Sequence, residues 1–325
     1  MQKATRNLTV RDCRPAADRL RDEVLRGLRS DPKHISPKFF YDERGSRLFD
    51  RICELEEYYP TRTELGIMRG RIDDIAPMLG SACLLIEFGS GSSVKTRILL
   101  DHLDSPAAYV PLDISKEHLQ TTAKSLSAAY PDLDILPVCA DFTQAFDVPD
   151  CEAPVSRRVV YFPGSTLGNL EPDQAVALLK KIREVVSPGG GLLIGVDMKK
   201  DRAILERAYD DAEGVTARFN KNVLMRLNRE LGADFELDQF RHRAVYNEAA
   251  GRIEMHLVSK RLQIVHFKGD EIRFEAGETI HTESSHKFTP AEFAALAATA
   301  GFTVKQVWTD EKRLFSVQYL TVTAQ

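Results

Sequence analysis

The sequence predicts an α/β protein: a mainly parallel sheet covered by helices on both faces, joined to a second part of α+β character. Two patterns carry that prediction. Between residues 84 and 197, short apolar runs alternate with amphipathic stretches of helical length, the signature of βαβ units. After Asp197 the alternation stops, and from Phe240 to His286 the chain moves to period-two segments separated by turn residues, which mark antiparallel hairpins.

Taken in order, Arg14 to Leu28 forms an amphipathic helix with Leu20, Val24 and Leu28 on one stripe. The run from Ser36 to Ser46 is an aromatic-rich loop, and Leu48–Leu55 is a short helix. Tyr59 precedes Pro60 and is expected to end an element, because the proline ring disfavours helical backbone in the preceding residue. Thr63–Met78 follows as a helix with Leu65, Met68, Ile72 and Ile75 inward. Parallel strands are expected at 84–88, Tyr109–Asp113, Leu133–Val138, Arg158–Pro163 and Leu192–Asp197. Helices fill 94–103, 115–129 and 172–186, and Ser187-Pro188-Gly189-Gly190-Gly191 is a stop-and-turn signal. Arg202–Tyr209 and Val215–Leu231 are helical; His242–Tyr246, Arg252–Phe267 and Glu271–Glu275 are extended. Pro290–Ala300 is a helix, and Gly301–Thr309 and Phe315–Thr323 form a closing hairpin.

At 325 residues the chain suits one large or two modest domains. A net charge of -4 argues against a nucleic-acid or anionic-membrane partner, which calls for a basic face. No segment approaches the ~20 uninterrupted apolar residues of a spanning helix, and the N-terminal stretch lacks the apolar run of a secretory signal. Five cysteines (Cys13, Cys53, Cys83, Cys139, Cys151) are scattered and never in C-x-x-C spacing, so neither a disulfide framework nor a zinc ribbon is expected. The eight histidines are equally dispersed; His281 and His286 stand five apart with no ligand pattern around them. These features describe a reduced, cytoplasmic protein without a metal. No long apolar surface stripe demands a partner, which leaves monomer as the default.

The chemistry begins at Glu87-Phe88-Gly89-Ser90-Gly91, a buried strand running into a tight turn that offers backbone N–H groups to a ligand. A nicotinamide or flavin dinucleotide site calls for a third glycine, where Val94 stands; a P-loop calls for G-x-x-x-x-G-K-[ST], which is not present. The acid-x-Gly-x-Gly pattern of Glu87, Gly89 and Gly91 instead resembles the first motif of Rossmann-like class I methyltransferases that use S-adenosylmethionine. Asp113, ending the second strand, suits two ribose hydroxyls, and Asp141-Phe142, after the third, suits an adenine amino group and ring. Bland readings stand beside these: Asp113 caps the next helix through Ser115, and Asp141 is a turn residue. Their joint position at successive strand ends favours the nucleoside.

Longer motifs go beyond that generic class. They are Phe40-Tyr41-Asp42-Glu43-Arg44-Gly45-Ser46, the run from Glu57 to Glu64, Tyr161–Asn169 and Thr282–Phe288. With the methyltransferase core they resemble the L-histidine Nα-methyltransferases that open ergothioneine biosynthesis, over about Ser36 to Tyr319. The resemblance implies an S-adenosylmethionine-binding core at 61–197 and 287–325, and a substrate-binding α+β domain at 1–60 and 198–286. It implies that Gly89, Lys95, Asp113, Asp141 and Phe142 hold the cofactor. Asn169 and Tyr209 would hold the α-carboxylate of L-histidine, with Tyr41 near its α-amino group. Tyr58, Glu283 and Ser285 would address the imidazole, with Met255 packing against it. Ser284 lies between Glu283 and Ser285; the Glu-x-Ser spacing selects Ser285, with its neighbour as the alternative.

Those groups suit the chemistry. Methyl transfer to an amine needs positioning more than a strong base, so Tyr41 and Asn169 are the candidate catalytic groups. Glu283 suits a ring bearing N–H donors and penalises apolar side chains. Two further readings stay open: an Nα-methyltransferase for another aromatic amino acid such as a tryptophan derivative, and a nucleoside-binding regulatory module.

Overall fold

The structure, a computed structural model, describes residues 10–12, 17–91, 93–267 and 269–322. Contacts divide these into two compact units, one holding 10–12, 63–198 and 288–322, the other 17–62 and 199–287.

The first unit is built on one eight-stranded sheet. Its order is β1 (Arg11–Asp12), β5 (Val138–Cys139), β4 (Ala108–Asp113), β3 (Cys83–Phe88), β6 (Arg157–Phe162), β7 (Gly191–Asp197), β14 (Phe315–Val322) and β13 (Phe302–Thr309). Neighbours from β1 to β7 run parallel, and β14 is antiparallel to both β7 and β13. Successive strand residues serve opposite cores, as the period of two requires. Leu84, Ile86 and Phe88 pack with α6 (Pro172–Val186) and α9 (Pro290–Thr299). Cys83 and Leu85 pack with α3 (Tyr59–Leu79), α4 (Val94–Leu100) and α5 (Lys116–Ala129). Covering both faces is what makes β3 a fully buried run. This is the expected Rossmann-like α/β core with a reversed terminal hairpin.

In the second unit, a four-stranded sheet has the order β2 (Lys33–His34), β12 (Thr279–His286), β9 (Arg252–Ser259), β8 (Phe240–Asn247). A separate hairpin pairs β10 (Gln263–Phe267) with β11 (Asp270–Phe274). The helices are α1 (Ala17–Leu28), α2 (Glu43–Glu54), α7 (Arg202–Tyr209) and α8 (Val215–Leu231); α8 packs on α2, β8 and β9.

Several expectations are corrected. Tyr59 opens α3 rather than closing an element, because a proline in the first helical turn forfeits no needed N–H. The strand expected at Leu133–Val138 shrinks to Val138–Cys139 plus one bridge from Ile135 to Tyr109, since Pro137 has no N–H to give the ladder. The helix at 94–103 stops at Leu100. Arg252–Phe267 is two strands broken at 260–262, and the period-two region ending at His286 holds a further strand, β12, beyond the segments expected there. Residues 1–60 were assigned to the second part, yet Arg11 and Asp12 pair with Val138 and Cys139 in the large sheet. The expected positions 14–16, Cys13, Lys268 and Thr323 lie outside the described residues.

Candidate active site

In the first unit the expected cofactor residues gather at the C-terminal ends of the parallel strands. Gly89 and Gly91 have φ of +72° and +45°, and a Cβ on Gly89 would meet nothing within 4 Å, so the turn needs glycine and opens on free space. Asp113 Oδ2 accepts from the Gly91 N–H at 3.3 Å and its Oδ1 from the Ser115 N–H at 2.9 Å. Burial raises its pKa while those N–H groups oppose the shift. The helix-cap reading of Asp113 thus holds for one oxygen. A carboxylate has about four acceptor positions, so acceptor capacity remains beyond these N–H groups.

Glu87 is turned inward, 1% exposed, and accepts from the Thr96 hydroxyl at 2.6 Å and from the Tyr109 hydroxyl. Burial pushes its pKa up to about 8. Its contacts support the turn from beneath, tying β3 to α4 and β4. Lys95 Nζ pairs with Glu64 at 2.6 Å, and Glu64, fully buried, also accepts the Gly164 N–H with both oxygens at 3.0 and 2.9 Å. Glu64, the last residue of the Glu57–Glu64 motif, joins α3, α4 and the loop after β6. Asp141 Oδ1 closes a turn on the N–H and hydroxyl of Thr143, as the bland reading had it. Phe142 lies stacked on Phe88 with ring centroids 5.7 Å apart. Asn169 ends the 3-10 turn Thr166–Asn169 after β6, half-buried.

These groups fit an S-adenosyl ligand. The hydroxyls of Ser90 and Ser115, buried at two neighbouring strand ends, have no hydrogen-bond partner among the described residues. They lie beside a turn open at Gly89 and a carboxylate with acceptor capacity to spare.

In the second unit the substrate residues cluster through β12. A bulge between His281 and Glu283 resets the register against β9, so that Glu283 lies directly opposite Met255. The Thr282 hydroxyl closes on the Met255 carbonyl at 3.0 Å. From there Glu283, Ser285 and Lys287 alternate onto one side. Ser285 Oγ lies 2.8 Å from the Tyr209 hydroxyl, whereas Ser284 Oγ lies 3.2 Å from His281 Nε2. The two serines therefore serve different neighbours, and the one beside Tyr209 is Ser285. Burial pushes the Glu283 pKa to about 7, against the pull of the Lys287 ammonium.

Aromatic rings extend this cluster. Centroids are 6.2 Å apart for Tyr58 and Tyr209, 6.1 Å for Tyr58 and Phe49, and 5.8 Å for Phe49 and Tyr41. The motif around Tyr41 is built to hold that ring. Asp42 caps α2 by accepting from Gly45 N at 2.7 Å and is braced by Asn222 and Arg229 of α8. A side chain at Gly45 would collide with the Phe40 carbonyl, which is why glycine stands inside a helix. Lys287 is a residue that sequence reading left without a role, although its period-two spacing from Glu283 and Ser285 was visible. Its Nζ donates to Tyr209 Oη at 3.0 Å and to Ser285 Oγ at 2.8 Å.

No helix among the described residues is long and apolar enough to cross a membrane. Residues 20–322 match the family model described as histidine-specific methyltransferase, SAM-dependent. The chain is 44% identical over 301 residues to a histidine N-alpha-methyltransferase of Mycolicibacterium smegmatis, covering 91% of this chain and 92% of the relative. It is 45% identical to the protein of that name from Mycobacterium tuberculosis, covering 90% and 91%. Ergothioneine biosynthesis protein 1 of Neurospora crassa is 30% identical over 95% of this chain, which spans 36% of that longer protein. With a match of that extent, laid over this strand-end turn and this β12 cluster, the chain belongs to the family of S-adenosylmethionine-dependent, histidine-specific methyltransferases.

Proposed function

We propose that this protein transfers three methyl groups from S-adenosylmethionine to the α-amino nitrogen of L-histidine, forming hercynine in the first step of ergothioneine biosynthesis. The observation that carries this reading is the polar row on β12. There a buried carboxyl, Glu283, sits two residues from a serine that is hydrogen-bonded to Tyr209. Such a row matches an imidazole, which offers an N–H on one side and an acceptor nitrogen on the other. The names of the three relatives agree with it.

When bound, S-adenosylmethionine supplies a methyl group on a sulfonium that leaves as a neutral thioether. Gly89, Gly91, Lys95, Asp113, Asp141 and Phe142 are the residues proposed to hold it, with Glu87 supporting the turn. Asn169 and Tyr209 pair with the substrate carboxylate, which favours the neutral amine by removing part of the charge that stabilises its ammonium form. Tyr58, Glu283 and Ser285 fix the ring, with Met255 packed beside Glu283. Tyr41 lies toward the amine, where a phenol accepts a hydrogen bond and its ring attracts the growing cation. The described cysteines, Cys53, Cys83, Cys139 and Cys151, form no disulfide with one another, which supports a cytoplasmic setting. We take the working form to be a monomer.

The test is to incubate the protein with S-adenosylmethionine and histidine, tryptophan or tyrosine, and to follow product masses. Histidine should gain one, two and then three methyl groups. Methylation of another amino acid with histidine untouched would overturn the reading.

A further inference from the structure

Tyr209 closes α7, and a helix leaves its last carbonyls without partners inside the helix. His242 of β8, itself buried, reaches the Tyr209 carbonyl with Nε2 at 2.8 Å. Its other ring nitrogen, Nδ1, lies 2.8 Å from the side-chain amide nitrogen of Asn220, a fully buried residue of α8. That same amide nitrogen lies 3.2 Å from the backbone carbonyl of His256 on β9. Both ends of this chain are carbonyls, which accept and never donate. The amide therefore gives one hydrogen to His256 and the other to Nδ1, and the imidazole proton stands on Nε2, facing Tyr209. Turning the amide over would set its oxygen against the His256 carbonyl. The cost of the observed orientation falls on Asn220 Oδ1, which is buried and meets no partner among the described residues.

We propose that Asn220 and His242 are positioning residues for the substrate carboxylate: they hold the end of α7 so that the Tyr209 side chain stays in the histidine site. The proposal deepens the function assigned above and rests on its assignment of Tyr209. Ring and carbonyl belong to one residue, so fixing the carbonyl limits how the Tyr209 backbone can turn and where its ring leaves the helix. That ring stands 6.2 Å from Tyr58, centroid to centroid, and its hydroxyl lies 2.8 Å from Ser285 Oγ. Beyond Tyr209 the chain enters α8, whose first turn is capped by Asp211, accepting from the Val215 and Thr216 N–H groups at 2.8 and 2.7 Å. The connection at 210–214 is thus held on both sides, by Asp211 toward α8 and by His242 toward α7. His242 acts through Tyr209 rather than on the reacting nitrogen.

The charged groups facing His242 are Asp210, whose Oδ1 lies 3.8 Å from Nε2, Asp211 in the same connection, and Lys221 on α8. Burial holds the ring pKa below its ordinary value; the Tyr209 carbonyl and the two carboxylates oppose the shift, and Lys221 adds to it. Protonation would place a hydrogen on Nδ1 against the Asn220 amide, donor facing donor. A neutral ring carrying its proton on Nε2 satisfies Asn220 and Tyr209 together.

The experiment is calorimetry of histidine binding to the full-length protein saturated with S-adenosylhomocysteine, for Tyr209→Phe, His242→Phe and the double variant. Tyr209→Phe should bind histidine about tenfold more weakly, as expected when a hydrogen bond to a charged group is lost. His242→Phe should lose about three- to tenfold, and the double variant little more than Tyr209→Phe alone, because residues acting along one path are not additive. His242→Gln, whose amide can replace the Nε2 donor, should recover most of the loss. Asn220→Leu is carried through the same cycle, so that a folding defect in one variant leaves the other. S-adenosylhomocysteine should bind every variant as it binds the wild type, and nitrogen NMR of the wild type should show His242 with its proton on Nε2. Losses that add in the double variants, unchanged histidine affinity in His242→Phe and Asn220→Leu, or a proton on Nδ1 would overturn the positioning role. Wild-type affinity in Tyr209→Phe, or a wild-type protein that binds S-adenosylhomocysteine but takes up no histidine, would overturn the functional reading itself, and this proposal with it.

Discussion

Replacing Glu64 by alanine tests how the cofactor turn is held. Its carboxylate is fully buried, binds Lys95 at 2.6 Å and takes the Gly164 N–H at 2.9 and 3.0 Å. Losing the acceptor strands the Gly164 amide, at a cost of about 1–3 kcal/mol. Losing one partner of a buried ion pair costs ~3–5 kcal/mol, but the Lys95 side chain is 20% exposed and can turn toward water, which places its share below that range. The sum is on the order of 3 kcal/mol of folding stability, and urea unfolding measures it. The second readout is ligand affinity. An unanchored lysine must be ordered when ligand binds, at ~0.5–1.5 kcal/mol per side chain. S-adenosylhomocysteine should therefore bind about three- to tenfold more weakly by calorimetry. Glu64→Gln separates the two roles: it keeps an acceptor for Gly164 and loses the charge that holds Lys95. It should recover most of the stability and little of the affinity. An alanine variant that unfolds within about 0.5 kcal/mol of wild type, or binds the ligand equally well, would refute the clamp.

Three further outcomes are expected. Glu87 has a folded pKa near 8 against an ordinary value of 4.5, so its contribution is full below about 4.5 and is lost as pH rises toward 8. Glu87→Gln cannot ionise, so urea unfolding at pH 5.5 and 8 should show the variant gaining on wild type with rising pH, by a few kcal/mol at most at ~1.4 kcal/mol per pK unit; a constant difference counts against the buried, protonated carboxyl. Glu283→Ala removes a charged hydrogen-bond partner of ~1.5–3 kcal/mol, so calorimetry should find histidine bound roughly 10- to 100-fold more weakly. Unchanged affinity would remove Glu283 from the site. Gly45→Ala drives a methyl group into the Phe40 carbonyl and should cost about 1–3 kcal/mol, read as a lower denaturant midpoint; an unshifted midpoint would mean that α2 yields easily there.

The first unit was legible in the sequence because its physics is local. A strand covered on both faces must be a continuous apolar run, and Cys83–Phe88 and Gly191–Asp197 are such runs. Their ends, and hence Gly89 and Asp113, follow from the same pattern. β12 was illegible for the opposite reason. Thr279–His286 reads TIHTESSH, with no apolar alternation, and its bulge interrupts the period that pattern reading relies on. Its polar residues are buried because they satisfy one another and Tyr209, a partner 76 positions from Ser285. Glu64 and Lys287 escaped for a related cause. Surface Glu and Lys are common, and it is tertiary partners such as Gly164 and Tyr209 that distinguish these two as buried.

The arrangement of charge in the second unit follows from what each methylation does to the acceptor. A primary amine has hydrogens to donate, while the trimethylated product has none and carries a fixed positive charge. A carboxylate beside the nitrogen would hold the unreactive ammonium at the start and lose its hydrogen-bond partner by the end. The buried carboxyl instead stands on β12 opposite Met255, in the part assigned to the ring, whose chemistry does not change. Tyr41, the residue assigned toward the amine, belongs to an aromatic run that continues through Phe49 to Tyr58. Aromatic faces attract a cation by about 0.5–2 kcal/mol without needing an N–H, so they serve the first, second and third products alike. Lys287, over the Tyr209 ring, occupies one of that ring's faces and biases Tyr209 toward hydrogen bonding. Under the proposed assignment, a firmly keyed ring and a loosely defined amine would let one site accept histidine at every stage of its methylation.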